Sequence, residues 1–288
     1  MNEENRPSTY MEEVIQYTKK DAIHALLFMA YIGLMINAFF LLSPVLNLRD
    51  EDGMTRAGNI VYTGAILLLI LLPLFVIISK KTQNLYSLGL HLLDWKKALC
   101  AGLFIGAVTL MFHNGLLPGL LAGWEIYTGL TLVWIIMTVL LAAFWEDVVF
   151  IGYSQTRIYG LVKNDISAVL VVAFIFAALH KPNLIHATIL SGEGFGVDFW
   201  SIFALAIFLR MMLHIIMNMI FRRFRSIIPV TLFHFSWNLA LGGRLWVDTS
   251  DGGFDQAISS GIIVFVVFSI CLYWPFLKKL LNKRKKPK

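Results

Sequence analysis

The chain reads as an all-α membrane protein: a polytopic bundle of about eight transmembrane helices around an intramembrane polar cavity. Three observations carry that reading. Hydrophobic residues make up 58% of the 288 positions and charged residues only 15%, against about 25% charged in soluble domains. Apolar stretches recur at lengths near the roughly 20 helical residues needed to cross a hydrocarbon core about 30 Å thick. Lysine and arginine are spread unevenly over the connections between those stretches, as they are when a membrane orients a chain.

The apolar stretches run over about 22–47, 59–79, 98–117, 129–158, 166–180, 199–221, 227–246 and 256–277. The first is too long for a secretory signal and lacks a small-residue cleavage site, so it reads as a retained anchor. The fifth is short for a span. Connections this brief leave no room for a sizeable soluble domain. The expected organisation is a cytoplasmic N-terminal segment over 1–21, a transmembrane domain over 22–277 with its chemistry-bearing core at 129–246, and a basic cytoplasmic tail over 278–288.

With alternate connections on one side, nineteen Lys and Arg fall on the side of the two termini and four on the other. That asymmetry predicts eight spans with both termini cytoplasmic, and the compact chain without a targeting segment suits a plasma membrane. The net charge of +6 then reflects topology and contact with lipid headgroups. No basic patch with interleaved aromatics is present, so nucleic acid is not an expected partner.

Between the second and third stretches, residues 83–97 mix Leu with His91, Asp94, Trp95, Lys96 and Lys97, a pattern that predicts an interfacial helix. Gly102 and Gly106 are one turn apart and permit close helix approach; Gly115, Gly119 and Gly123 continue the spacing. Cys100 and Cys271 both fall in apolar runs and read as small buried packing residues. The 181–198 connection, with its Ser191-Gly192-Glu193-Gly194 run, follows no strand and reads as an outer loop.

Against this apolar background the polar residues stand out. Glu146 and Asp147 interrupt the fourth stretch, and ionisable groups at such depth usually line a polar site or a pathway. Two neighbours on an α-helix point about 100° apart, so only one can aim squarely at a shared site. Asp147 is therefore expected to support that site from behind or to sit in a polar, solvated crevice. His180 ends the fifth stretch. His234 and Asn238 are four apart on the seventh and share one face. At roughly 1.5 Å of rise per residue all four positions other than Asp147 fall in one layer of the membrane.

A carboxylate beside an imidazole can hold and deprotonate water, which suits Glu146 with His180. A second imidazole with an amide can donate hydrogen bonds to an oxyanion, which suits His234 with Asn238. Glu146, His180 and His234 are also a possible zinc set, but there is no HExxH and the histidines lie on separate spans; the metal-free arrangement is preferred, with no cofactor. His214 and Asn218 form a second HxxxN on the sixth stretch and could line the same cavity, while Arg210 in mid-span snorkels or faces an interior acid.

Three segments carry a resemblance. Glu146-Asp147-Val148-Val149-Phe150-Ile151, Phe176 to His180, and Arg225-Ser226-Ile227-Ile228-Pro229 leading to His234 and Asn238 resemble the motifs EExxxR, FxxxH and HxxxN of the CPBP family. That family comprises the CaaX prenyl proteases of the Rce1 type and the bacteriocin-processing, or Abi, membrane proteins. The resemblance implies an intramembrane endopeptidase with Glu146 as general base, His180 assisting, and His234 with Asn238 at the oxyanion. It departs from the pattern twice: Asp147 replaces the second glutamate, and Ile151 replaces the arginine, with Arg157 six residues further on.

Two readings of function follow. In one the chain hydrolyses a peptide or membrane-protein substrate near the bilayer. In the other it is a catalytically silent scaffold or regulator of another membrane protein. A transporter with Glu146 as proton site is disfavoured, because no inverted repeat or broken-helix pair is visible.

Overall fold

The structure, a computed structural model, describes residues 10–43, 45–50, 53–54, 56–80, 85–90, 94–112, 125–180, 185 and 195–240. Those residues are helical almost throughout. A short helix α1 (Tyr10–Val14) precedes α2 (Lys19–Leu42). Thr18 starts α2 with a capping box: its hydroxyl accepts from the Asp21 N–H at 3.3 Å, and the Asp21 carboxylate accepts from the Thr18 N–H at 2.9 Å. Two-residue strands β1 (Arg49–Asp50) and β2 (Gly53–Met54) pair antiparallel. There follow α3 (Arg56–Ile66), a π-helical turn (Leu67–Leu71), α4 (Leu72–Lys80), a 3-10 turn (Leu85–Leu88) and α5 (Trp95–Phe112). The site region comprises α6 (Gly129–Glu146), a π-helical segment (Asp147–Gln155), α7 (Thr156–Val162), α8 (Asp165–Leu179), α9 (Val197–Phe224) and α10 (Ile227–Ala240).

Among the described residues, four helical runs are long and apolar enough to cross a membrane: Lys19–Phe39, Ile60–Ser79, Gly129–Val162 and Phe199–Phe224, with shorter apolar helices at Asp165–Leu179 and Ile227–Leu239. The expected stretch 256–277, the tail 278–288, Cys271, Gly115, Gly119, Gly123 and most of the 181–198 connection lie outside the described residues. Large apolar side chains such as Leu34, Phe104, Leu130, Ile166 and Phe208 face outward, the arrangement expected where lipid is the solvent. The inner face is a continuous core that includes Trp145, Phe150, Ile151, Phe176, Ile216 and Phe233.

Three sequence expectations need correction. Residues 83–97 are not one interfacial helix: Leu85–Leu88 is a single 3-10 turn, and Gly89 (φ 72) and Asp94 (φ 50) turn the chain at positive φ before α5 starts at Trp95. Cys100 is exposed rather than buried, on the outward face of α5. The run through 147–155 is not α-helical but π-helical.

Packing around the site explains these local shapes. The paired glycines of α5 let α10 approach: a Cβ at Gly102 would meet Pro229 Cα at 2.9 Å, and one at Gly106 would meet Ser236 Oγ at 2.8 Å and Leu232 O at 3.0 Å. At Gly152 a Cβ would stand 2.7 Å from Leu88 O, so the π-helical segment rests directly on the 3-10 turn. Arg157 is fully buried beneath that segment. Its Nη1 donates to Tyr153 O at 3.0 Å and Thr156 Oγ1 at 2.8 Å, its Nη2 donates to Ser87 Oγ at 3.1 Å, and its guanidinium lies over the Tyr153 and Tyr17 rings. A guanidinium with several donors in a fixed plane is suited to collecting the carbonyls that a widened helical turn leaves exposed.

Residues 10–18 are built into the bundle. Tyr10 meets Phe221 edge-on at 6.5 Å and lies under the Arg222 guanidinium at 4.7 Å. Glu13 pairs with Arg225, the left-handed residue (φ 54) between α9 and α10. Burial pushes the Glu13 carboxyl above its ordinary value, against the opposing pull of Arg225 and Arg157, and pushes the Tyr10 phenol up to about 12.

Candidate active site

Glu146 is the last α-helical residue of α6, and Asp147 is the first of the π-helical segment. His180 caps the C-terminus of α8. His234 and Asn238 lie in α10, whose entry is fixed at Arg225 and by the Ile227 N–H donating to Gly89 O at 3.1 Å. Asp147 and His234 are fully buried, Asn238 is 8% exposed, and the side chains of Glu146 and His180 are 12% and 19% exposed.

The geometry fixes the protons. His180 Nδ1 is 2.6 Å from Phe176 O, and a carbonyl can only accept, so this nitrogen donates. His180 Nε2 then faces Glu146 Oε2 at 3.3 Å. His234 Nδ1 is 3.0 Å from Asp147 Oδ1 and donates to that carboxylate, leaving His234 Nε2 at 3.6 Å from the same Glu146 Oε2. In their neutral forms both imidazoles would thus point lone pairs at one carboxylate oxygen. The trio is stable only if it holds a proton, on Glu146 or on an imidazole. A group of this kind can take a proton from water and return it to a leaving group.

The expectation for the acid pair is refined here. Glu146 and Asp147 diverge, but the flat ring of His234 carries its nitrogens at opposite edges and bridges the two directions. Asp147 lies behind His234, at its Nδ1, whereas Glu146 faces both imidazoles rather than His180 alone. Asn238 is carried one turn further along the face and makes none of these acid–imidazole contacts.

Around them Phe176 is the common wall: its ring centroid is 4.4 Å from His180, 5.2 Å from His214 and 6.2 Å from His234. His214 is fully buried and its Nε2 is 3.4 Å from Gln155 Oε1. Gln155 was not singled out from the sequence; its place at the end of a π-helical segment left no periodic signal. Ile151, where the resembled motif has arginine, is fully buried in the core, and Arg157 serves backbone carbonyls and Ser87 rather than the acids. Among the described residues, no group of three or more His, Cys, Asp or Glu is arranged to hold a metal ion.

Comparison with known families gives one match. Residues 128–240, which contain all five site residues, match the family model described as type II CAAX prenyl endopeptidase Rce1-like. No curated protein and no solved structure matches the chain.

Proposed function

We propose, for a chain whose residues 128–240 carry an Rce1-like domain, an intramembrane endopeptidase that hydrolyses a peptide or membrane-protein substrate without a metal. The observation that carries this reading is the convergence of His180 Nε2 and His234 Nε2 on Glu146 Oε2, with Asp147 behind His234. In the proposed reaction Glu146, aided by His180, takes a proton from a water as its oxygen bonds to the peptide carbonyl carbon. His234, charged and backed by the Asp147 carboxylate, donates from Nε2 to the developing oxyanion, with the Asn238 amide as second donor. The proton held at Glu146 passes to the amide nitrogen as the carbon–nitrogen bond breaks. The partly exposed faces of Glu146 and His180 would line the polar cavity that admits substrate. The lysine and arginine asymmetry supports both termini being cytoplasmic, and the proposed setting is the plasma membrane.

The test compares peptide termini in membranes carrying wild-type or Glu146→Gln protein. Termini produced by the wild type should fall at least about 10²-fold in the variant, with its thermal melting unchanged. Cleavage that persists in the presence of a chelator supports the metal-free form; cleavage that stops supports zinc on Glu146, His180 and His234. If Glu146→Gln retains every wild-type phenotype, the chain is a scaffold or regulator, the reading that the isoleucine at 151 favours.

A further inference from the structure

Two carboxyl groups side by side in an apolar span are expensive unless a cation compensates them. Both imidazoles direct Nε2 at a single oxygen of Glu146. Helix register locates a third group. α8 and α9 pack antiparallel: Asp165 at the start of α8 holds Arg222 near the end of α9 through contacts of 2.5 and 2.6 Å, and Phe176 further along α8 meets His214 further back along α9. His180 is one turn beyond Phe176. Arg210 is one turn before His214 on the same face of α9. Arg210 is therefore level with His180, one of the two imidazoles that face Glu146.

Arg210 is half-buried in the interior of a helix long and apolar enough to cross a membrane, where a guanidinium with no task would be costly. Its charge acts on both Glu146 and His234. Among the described residues, Tyr62 from α3, His180 from α8, His234 from α10 and the adjacent Asp147 also act on Glu146, the two imidazoles more strongly than Arg210; none of these four is a permanent cation. Ile151 carries no charge.

We propose that Arg210 is a positioning residue for Glu146: its guanidinium is the fixed counter-charge that keeps this carboxylate ionised and turned toward the two imidazoles. The consequence for turnover rests on the peptidase reading, but the charge pairing does not, and the two can fail separately.

Infrared spectroscopy of the full chain in lipid nanodiscs tests it directly. At neutral pH the wild type and Arg210→Lys should show no protonated-carboxyl stretch that Glu146→Gln removes. Arg210→Gln should show one, absent from the Arg210→Gln/Glu146→Gln double variant. If Arg210→Gln does not fold, Arg210→Cys in a chain with Cys100 and Cys271 changed to Ser can be alkylthiolated with an aminoethyl or a methyl methanethiosulfonate. The two adducts share a fold and differ in charge, and the band should appear only with the methyl group. No Glu146 band in any charge-free form, or the same band in both adducts, overturns the proposal. Loss of the band pattern with cleavage intact would refute the counter-charge alone; intact pairing in a chain whose Glu146→Gln form still cleaves would refute the peptidase alone.

Discussion

Two buried polar clusters lie at opposite ends of the same π-helical segment, and they are built by different rules. At its C-terminal end Arg157 is matched to backbone carbonyls, two hydroxyls and two aromatic rings, and nearby Arg222 is held by Asp165 through both carboxylate oxygens. At its N-terminal end the side chains are packed just as tightly, yet Asp147 Oδ2 and His234 Nε2 have no hydrogen-bond partner among the described residues. A buried polar group left short of partners costs about 1–3 kcal/mol. Unused capacity is not confined to the second cluster, since Arg222 Nε and, at the C-terminal end of the segment, Ser154 Oγ and Gln155 Nε2 are also short of partners; what sets the second apart is that its unmatched atoms belong to an acid and an imidazole in direct contact. Polarity inside a membrane does not by itself mark a site; a carboxylate and two imidazoles meeting at one oxygen offer proton-transfer chemistry that paired guanidinium groups lack.

The contrast can be broken at several points. After Glu146→Gln, the largest effect should come from Asp147→Asn, which keeps the shape behind His234 but removes the charge that favours its imidazolium. Cleavage should fall roughly 10²- to 10⁴-fold in kcat, read in single-turnover kinetics, with little change in melting. Arg157→Met should do the reverse. It strands carbonyls and Ser87 in the interior, and at about 1–3 kcal/mol for each unsatisfied partner the loss should be several kcal/mol in detergent unfolding. Gly106→Ala should cost about 1–3 kcal/mol by overpacking against Ser236 and Leu232, visible as a lower melting temperature. The smallest effect concerns Tyr10. Its phenol titrates higher when folded than when unfolded, so the stability tied to it is fully present below the ordinary tyrosine value near 10 and is lost as pH rises toward about 12. Tyr10→Phe should flatten that alkaline decline in a melting-against-pH series.

Much of this was legible in the sequence because membrane insertion leaves coarse marks. The apolar stretches foretold the helices from α2 to α10, and the order and depth of Glu146, His180 and His234 foretold that they would meet. What escaped depends on tertiary contact. Nothing in Asp147–Gln155 signals a π-helix; that register follows from Gly152 resting on Leu88 and from Arg157 gathering carbonyls behind it. The part played by Arg157 could not be found by asking whether it replaces a motif residue, because it serves the backbone. Residues 10–18 fall in the expected cytoplasmic N-terminal segment, yet Tyr10 and Val14 are buried, since the apolar side chains of so short a helix become visible only against Phe221 and its neighbours.

The glycine-lined contact of α5 with α10 has a practical consequence. It is the most extensive helix–helix interface among the described residues, yet α5 ends at Phe112 and the family match begins at residue 128. A fragment trimmed to the homologous region would strip His234 and Asn238 of the rod against which their helix is braced. Minimal versions of this protein should be cut upstream of Trp95, where packing rather than ancestry draws the border.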